Sequence, residues 1–253
     1  MQNFPAENMY ETDALVSQYC EFHYGDSYFS VENYPARCAR LCLEAMEGRK
    51  MGTALDLGCA VGRASFELAR EFSSVTGIDF SQRFVAVSEA MRETGRISYE
   101  IPGEGELVCR VERRLADYDL YEVRQRVGFF QADALALPPE FSGYDLIFAG
   151  NLIDRLKNPR LFLSMIHQRV VPGGLLVLSS PYTWLSEFTP RTEWLGGFSE
   201  DGRDFTTLDG LRESLAPHFR MLGEPRDIPF VIRETARKYQ HTIAEMTVWE
   251  RCG

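Results

Sequence analysis

No apolar run in this sequence approaches the roughly 18 uninterrupted residues that a membrane-spanning helix needs. The opening stretch MQNFPAENMYE has neither the basic start nor the apolar core of a signal peptide, so a cytoplasmic protein is expected. The six cysteines, Cys20, Cys38, Cys42, Cys59, Cys109 and Cys252, form no CxxC or other metal-type spacing, and there are only four histidines. Reduced thiols and no metal site are therefore expected. Basic residues are outnumbered 27 to 37, a formal charge of −10. Such a field repels phosphate backbones and anionic lipid, which argues against nucleic acid and membrane as partners. No internal repeat marks a solenoid or propeller. GxGxxG, the pyrophosphate loop of dinucleotide enzymes, is also missing.

What is present is a globular composition over 253 residues, 45% apolar and 25% charged, enough for one large α/β domain. Disorder is expected at most within the first ten residues. Two helices come first, one opening near Thr12 and one after the turn NYP, with Cys38, Leu41, Cys42, Ala45 and Met46 on a helical stripe. Strands are then expected at 53–58, 75–80, 127–133, 144–150 and 173–182, nearly continuous in apolar residues as in a parallel sheet buried on both faces. Helices alternate with them at 62–72, at 81–95 with Ser81 as N-cap and Gly95 as stop, in RLFLSMIHQRVV and in TLDGLRESLAPHF. RISYEIPGEGELVCRVE reads as a β-hairpin inserted into this pattern. FRMLGEPRDIPFVIRE and HTIAEMTVWER are joined too briefly for a helical crossover, so the sheet should close on an antiparallel pair.

The segment ALDLGCAVGRASFELA puts Asp56 at a strand end, Gly58 at the turn and Gly62 at a helix opening. Glycine belongs where the chain turns with positive φ or where a ligand comes closer than a Cβ allows. A tight loop of this kind suits a compact amino acid moiety, with the acid beside it to receive an ammonium group. Asp79, at the end of the second strand, is placed for ribose hydroxyls, and Asp133 with the backbone of Ala134 for an adenine edge. In order, spacing and strand position these residues resemble the class I S-adenosylmethionine-dependent methyltransferases. The resemblance runs over residues 53–250 and implies a Rossmann-like, mostly parallel sheet with an antiparallel last strand. It also implies S-adenosyl-L-methionine as cofactor and S-adenosyl-L-homocysteine as product, held by Asp56, Gly58, Cys59, Gly62, Asp79, Phe80, Asp133 and Ala134. Asn151 falls where that family lines the floor near the methyl group; capping the helix that follows is its other reading.

A narrower resemblance lies in YETDALVSQYCEFHYGDSYF, VENYPARCARL, LDLGCAVGRASFELAR, FAGNLIDRLKNP and SSPYTWLSEFTPRTEWLGGF. These segments are similar to the methyltransferase that forms the C-terminal part of ovothiol synthases and also occurs alone. The implied reaction methylates the imidazole nitrogen of 4-mercaptohistidine (5-thiohistidine) nearest the side chain, giving ovothiol A. A sulfoxide synthase and a lyase would supply that substrate. The domain organisation expected is one methyltransferase domain over 1–253, with a helical lid at 1–50 and a core at 53–253 carrying insertions at 97–125 and 182–205.

Such a reaction must align nitrogen, methyl carbon and sulfur and exclude water, while the softer thiol of the substrate is held away. Two of the chain's three tryptophans lie in the loop after the fifth strand, between charges of both signs. On this reading Tyr182, Trp184 and Trp194 wall the ring, Arg191 binds the substrate carboxylate bidentately, and Glu187 takes its ammonium group. An ordinary packed loop is the alternative. Asn151 and Arg155 complete the expected substrate set. In the lid, Tyr19, His23, Tyr24, Tyr28 and Tyr34 crowd together, with Tyr24 and Arg37 as further cofactor contacts. His23, Tyr28 and Glu187 are the candidate base or orienting groups. Two rival readings stay open: another small amino acid, amine or thiol as acceptor, and a cofactor-binding domain without catalysis.

Overall fold

Five short runs that are apolar on both faces make the parallel centre of the sheet: β1 (Thr53–Leu57), β2 (Ser74–Asp79), β5 (Val127–Gln131), β6 (Tyr144–Gly150) and β7 (Val170–Ser180). The computed structural model describes residues 9–253. The first eight residues, which hold most of the opening stretch and the start of the expected lid, lie outside the described residues. Two long strands complete the sheet, β10 (Phe219–Arg233) and β11 (Tyr239–Arg251), in the order β10-β11-β7-β6-β1-β2-β5. β11 runs antiparallel to both β7 and β10, as the short connection required. This is the expected class I fold.

The period of two divides the core cleanly. In β6, Leu146 and Phe148 enter one apolar layer while Ile147 and Ala149 enter the other; in β7, Leu175 and Val177 oppose Leu176 and Leu178 in the same way. The first layer is closed by α1 (Asp13–Tyr24), α2 (Tyr34–Ala45), α3 (Arg63–Leu68) and α4 (Gln82–Thr94). The second is closed by α5 (Pro159–Ile166) and α6 (Thr207–Leu215). Each fully buried leucine or isoleucine contributes about 1.5–3 kcal/mol, which holds the sheet edge rigid beneath the loops.

Several boundaries follow from end chemistry. Thr12 caps α1, Ser81 caps α4 through Phe84 N, and Gly95 ends α4 with φ 73°. The NYP turn is the first turn of α2 itself, since Asn33 caps Ala36 N and Pro35 fits where no amide donor is needed. α3 starts one residue later than expected because Gly62, at φ 85°, is left-handed, and it ends at Leu68, after which Arg70 N and Glu71 N bond only three residues back, to Glu67 O and Leu68 O. α5 also stops early, because the β-branched pair Val170 and Val171 opens β7.

The expected hairpin is β3 (Arg96–Pro102) and β4 (Val108–Arg114), whose alternate residues Ile97, Tyr99 and Ile101 pack under α1. The stretch after β7 holds a second small hairpin, β8 (Phe198–Glu200) and β9 (Arg203–Phe205), that the sequence pattern did not show. No helix among the described residues is long and apolar enough to cross a membrane. Cys20, Cys38, Cys42 and Cys59 are buried as free thiols.

Candidate cofactor and acceptor site

The turn from β1 into α3 is locked to the neighbouring strand. Gly58 N and Cys59 N both donate to Ile78 O, at 2.8 and 3.0 Å, and Gly62 N closes on Cys59 O at 2.9 Å. Gly58 (φ 73°), Ala60 (φ 46°) and Gly62 (φ 85°) all adopt left-handed backbone. At Gly62 a Cβ would come within 2.7 Å of the Phe129 ring, so both the twist and the space demand glycine there. Ala60 bears a side chain at positive φ, a strain of the kind that persists where a loop is held for ligand binding.

Asp79 ends β2 beside this turn. Its Oδ2 accepts from Ala60 N at 2.9 Å and its Oδ1 from Ser81 N at 2.8 Å. Burial lifts its pKa to about 6 in spite of these amide donors. The Phe80 amide also supports the carboxylate, and the acceptor capacity left over suits hydroxyl donors. On the adjacent strand end, Asp133 is half-buried and accepts from Leu135 N at 2.8 Å, with Ala134 half-buried beside it. Phe80 is half-buried, and its carbonyl accepts from Gln131 Nε2. Arg37, half-buried on α2 against α3, has no hydrogen-bond or salt-bridge partner for its guanidinium among the described residues. Cys59 lies buried in the loop.

Three expected contacts prove to be braces. Asp56 is 1% exposed and accepts from Ser65 Oγ at 2.6 Å, with its pKa raised to about 7 by burial. It fixes the first turn of α3 through that bond. Tyr24 is fully buried, and its hydroxyl donates to Val61 O at 2.8 Å, tying the lid helix to the glycine loop. His23 is the clearest correction. It is buried, its Nδ1 accepts from Arg63 N, and burial together with the Arg63 charge pushes its pKa down to about 3. A nitrogen already occupied by a backbone donor is no general base.

Tyr28 is also committed, donating its hydroxyl proton to Glu21, with its pKa raised by burial and by that carboxylate. The segment before α1 is pinned over the start of α4 beside Asp79: Ser81 Oγ donates to Tyr10 O at 3.3 Å, and Gln82 N donates to Glu11 Oε1 at 2.9 Å.

A second cluster of polar groups stands at the ends of β6 and β7. Asn151 has φ 52°, its backbone N donates to Ser179 O at 2.7 Å, and its Oδ1 accepts from Tyr34 at 2.8 Å. It does not cap the next helix; Asn158 does that, accepting from Leu161 N. The Tyr34 hydroxyl also meets Ser179 Oγ at 2.8 Å. Tyr182, again with positive φ, donates to Glu245 Oε1 at 2.8 Å. Asp154, in the turn after β6, is buried and ion-paired to Arg155 at 2.8 Å. Arg155 reaches on to Thr183 O at 3.1 Å and lies 4.9 Å from the Phe188 ring centre. Nothing in the sequence pattern marked Asp154 or Glu245.

The tryptophan loop corrects the expectation drawn for it. Trp184 and Trp194 stack on each other at 6.2 Å. Trp184 Nε1 donates to Thr207 Oγ1 and Trp194 Nε1 to Thr189 O, both at 2.9 Å. Trp184 packs into the α5–α6 layer together with Leu195 and Leu211. Arg191 is exposed, with its guanidinium 4.7 Å from Trp194 and 4.5 Å from Phe198. Glu187 is exposed without a hydrogen bond or salt bridge among the described residues. These indoles hold a loop together, and of the expected ring walls only Tyr182 joins the polar cluster. Arg191→Ala is accordingly expected to change the acceptor KM less than twofold and stability by about 0.5 kcal/mol or less. Steady-state kinetics with a rise of tenfold or more would restore Arg191 to the substrate.

With this geometry in place, a family model described as a methyltransferase domain matches residues 30–226. No curated protein matches the chain significantly. Among solved structures, the N-methyltransferase NodS from Bradyrhizobium japonicum, crystallised with S-adenosyl-L-homocysteine, is 14% identical with a TM-score of 0.55, over 95% of this chain and 99% of that one. The cyclase SpnF is 18% identical with a TM-score of 0.56, over 96% and 98%. A methyltransferase solved with its Trm112 activator from Haloferax volcanii is 16% identical with a TM-score of 0.54, over 87% and 90%. These likenesses are of fold. The chain belongs to the methyltransferase-domain family. It is an S-adenosylmethionine-dependent enzyme of the Rossmann-like class.

Proposed function

We propose that the enzyme methylates a ring nitrogen of 5-thiohistidine to form ovothiol A. What carries the reading is the cluster at the ends of β6 and β7, where Tyr34, Asn151, Asp154, Tyr182 and Glu245 offer a small zwitterionic acceptor both donors and carboxylates. The segment-level resemblance described above supports the particular acceptor. The bound cofactor supplies an electrophilic methyl group on a sulfonium. The chain's own part is to bind, orient and exclude water. Asp79 and Asp133 take the hydroxyls and the adenine edge, Arg37 takes a carboxylate, and the lid residues Tyr10 and Tyr19 cover Asp79.

On the acceptor side, the Tyr34–Asn151–Ser179 bonds fix a polar floor that cannot rotate freely. Glu245, held by Tyr182, is suited to an ammonium group. Selection of nitrogen over sulfur then rests on blocking ring rotation. An enzyme that builds the thiolated ring must act before this one, as a separate sulfoxide synthase and lyase would.

The test is incubation with methyl-labelled cofactor and 5-thiohistidine, with mass spectrometry of the product and NMR to locate the methyl group. Methyl on nitrogen is the expected result. Methyl on sulfur, or none, sends the reading to another small amine, amino acid or thiol. If S-adenosylhomocysteine fails to raise the melting temperature, the cofactor placement itself is wrong.

A further inference from the structure

Asp154 lies in the turn Ile153–Arg155 that follows β6, with no exposed surface. One oxygen, Oδ2, pairs with Arg155 at 2.8 Å; the other, Oδ1, is buried with no hydrogen-bond partner among the described residues. An unpaired carboxylate oxygen out of water is costly, because its lost hydration is not replaced. Buried polar groups are nearly always satisfied, so an orphan at the sheet edge where this fold binds its ligands marks a place that a ligand completes.

The surroundings define what kind of ligand. The charge of Asp154 acts on the hydroxyls of Tyr10, Tyr34 and Tyr182, which come from the lid, from α2 and from the end of β7. Tyr34 is spent on Asn151 and Ser179, and Tyr182 on Glu245. The groups facing Asp154 are Arg155, Ser180, the backbone of Thr183 and these tyrosines, with Asp79 beyond Tyr10 and Glu245 behind Tyr182. Burial outweighs Arg155 and Ser180 and raises the pKa of Asp154. Ser180 Oγ and the Thr183 amide favour the ionised carboxylate, yet neither hydrogen-bonds Oδ1, which keeps room for one donor.

We propose that Asp154 Oδ1 accepts the N–H of the methyl acceptor's heteroaromatic ring, at the nitrogen that is not methylated, and takes its proton. The ring N–H bond breaks with its electron pair staying on nitrogen, and the Oδ1–H bond forms. This keeps the reacting nitrogen electron-rich, fixes the ring against rotation and leaves the methylated ring neutral. The assignment rests on the reading of a nitrogen acceptor at this edge, but it does not require that acceptor to be 5-thiohistidine.

Imidazole itself is the probe, titrated calorimetrically into the S-adenosylhomocysteine complex of wild type and Asp154→Asn. The variant should lose imidazole affinity at least tenfold and keep its S-adenosylhomocysteine affinity, which also certifies its fold. With 5-thiohistidine, its kcat/KM should fall on the order of 100-fold, within the range for a lost acid–base group, and the acid limb of the wild-type pH profile should vanish. If the variant does not fold, crystals of the wild-type complex soaked in imidazole decide: a ring nitrogen within hydrogen-bond reach of Oδ1 supports the assignment. Imidazole absent or elsewhere, or equal affinity in both proteins, overturns it. Asp154-dependent imidazole binding without turnover of 5-thiohistidine would sink only the proposed substrate. Turnover that survives intact in Asp154→Asn would sink only the role of Asp154.

Discussion

Asp79→Ala should weaken S-adenosylhomocysteine binding by about 100-fold or more, roughly 2.7 kcal/mol. Two losses combine in that figure. The carboxylate is the only side chain at the end of β2 with acceptor capacity for a pair of hydroxyls, and it also holds the amides of Ala60 and Ser81 in place. Without it the left-handed turn at Ala60 has no side-chain acceptor to hold its amide, so the loop loses the shape that the glycines allow. Asp79→Asn retains one acceptor oxygen and should fall between the two. Hydroxyl donors favour the ionised form, and the free-state pKa of Asp79 is raised to about 6. Ligand affinity is therefore expected to hold at neutral pH and to decline as pH drops below about 6, when the carboxyl protonates. Calorimetry at two pH values checks both points. A change of less than threefold for the alanine variant would move the ribose site away from β2.

The geometry of the glycine loop was readable because it is local. Gly58, Gly62 and Asp79 owe their positions to strand ends and to one tight turn, and the caps Thr12, Ser81 and Gly95 report on their own few residues. Asp56 shows the limit of such reading: the residue was seen, but its burial against Ser65 depends on how α3 folds back. The polar cluster at the ends of β6 and β7 was hidden for a different reason. In NLIDRL the acid looks like the solvent side of a helix opening, whereas Asn151 turns left-handed and drops Asp154 inside. Glu245 lies mid-strand on β11 and reaches the site only because that strand runs antiparallel beside β7, opposite Ser180. Trp184, Arg191 and Trp194 have the composition of a gripping surface and equally that of a loop stacked on itself. Only the partners of the two indole N–H groups separate these cases.

Glu21→Ala is expected to lower the melting temperature by roughly 6–20 °C, taking about 3–5 kcal/mol for a broken buried ion pair and 2–4 °C per kcal/mol at this chain length. Glu21 is 3% exposed on α1. It accepts from Tyr28 and, at 2.7 Å, from Tyr99, while Arg113 and Arg233 approach to 3.6 and 3.8 Å. Those partners sit on the α1–α2 connection, β3, β4 and β10, so one carboxylate ties the lid helix to the inserted hairpin and to the sheet edge. Truncation leaves Arg113 with only the exposed Asp26, at 3.4 Å, as an ion-pair partner and Arg233 with none among the described residues, so the desolvation cost of two mostly buried guanidinium groups is less well offset. Glu21→Gln keeps an acceptor for the tyrosines and should lose about half as much. Because α1 also carries Tyr24, whose hydroxyl holds Val61 of the glycine loop, the unfastened lid should weaken S-adenosylhomocysteine binding although Glu21 lies outside the cofactor site. Thermal unfolding with and without S-adenosylhomocysteine separates the two effects. A melting point within 2 °C of wild type would mean that the hairpin and lid are held by their apolar faces alone.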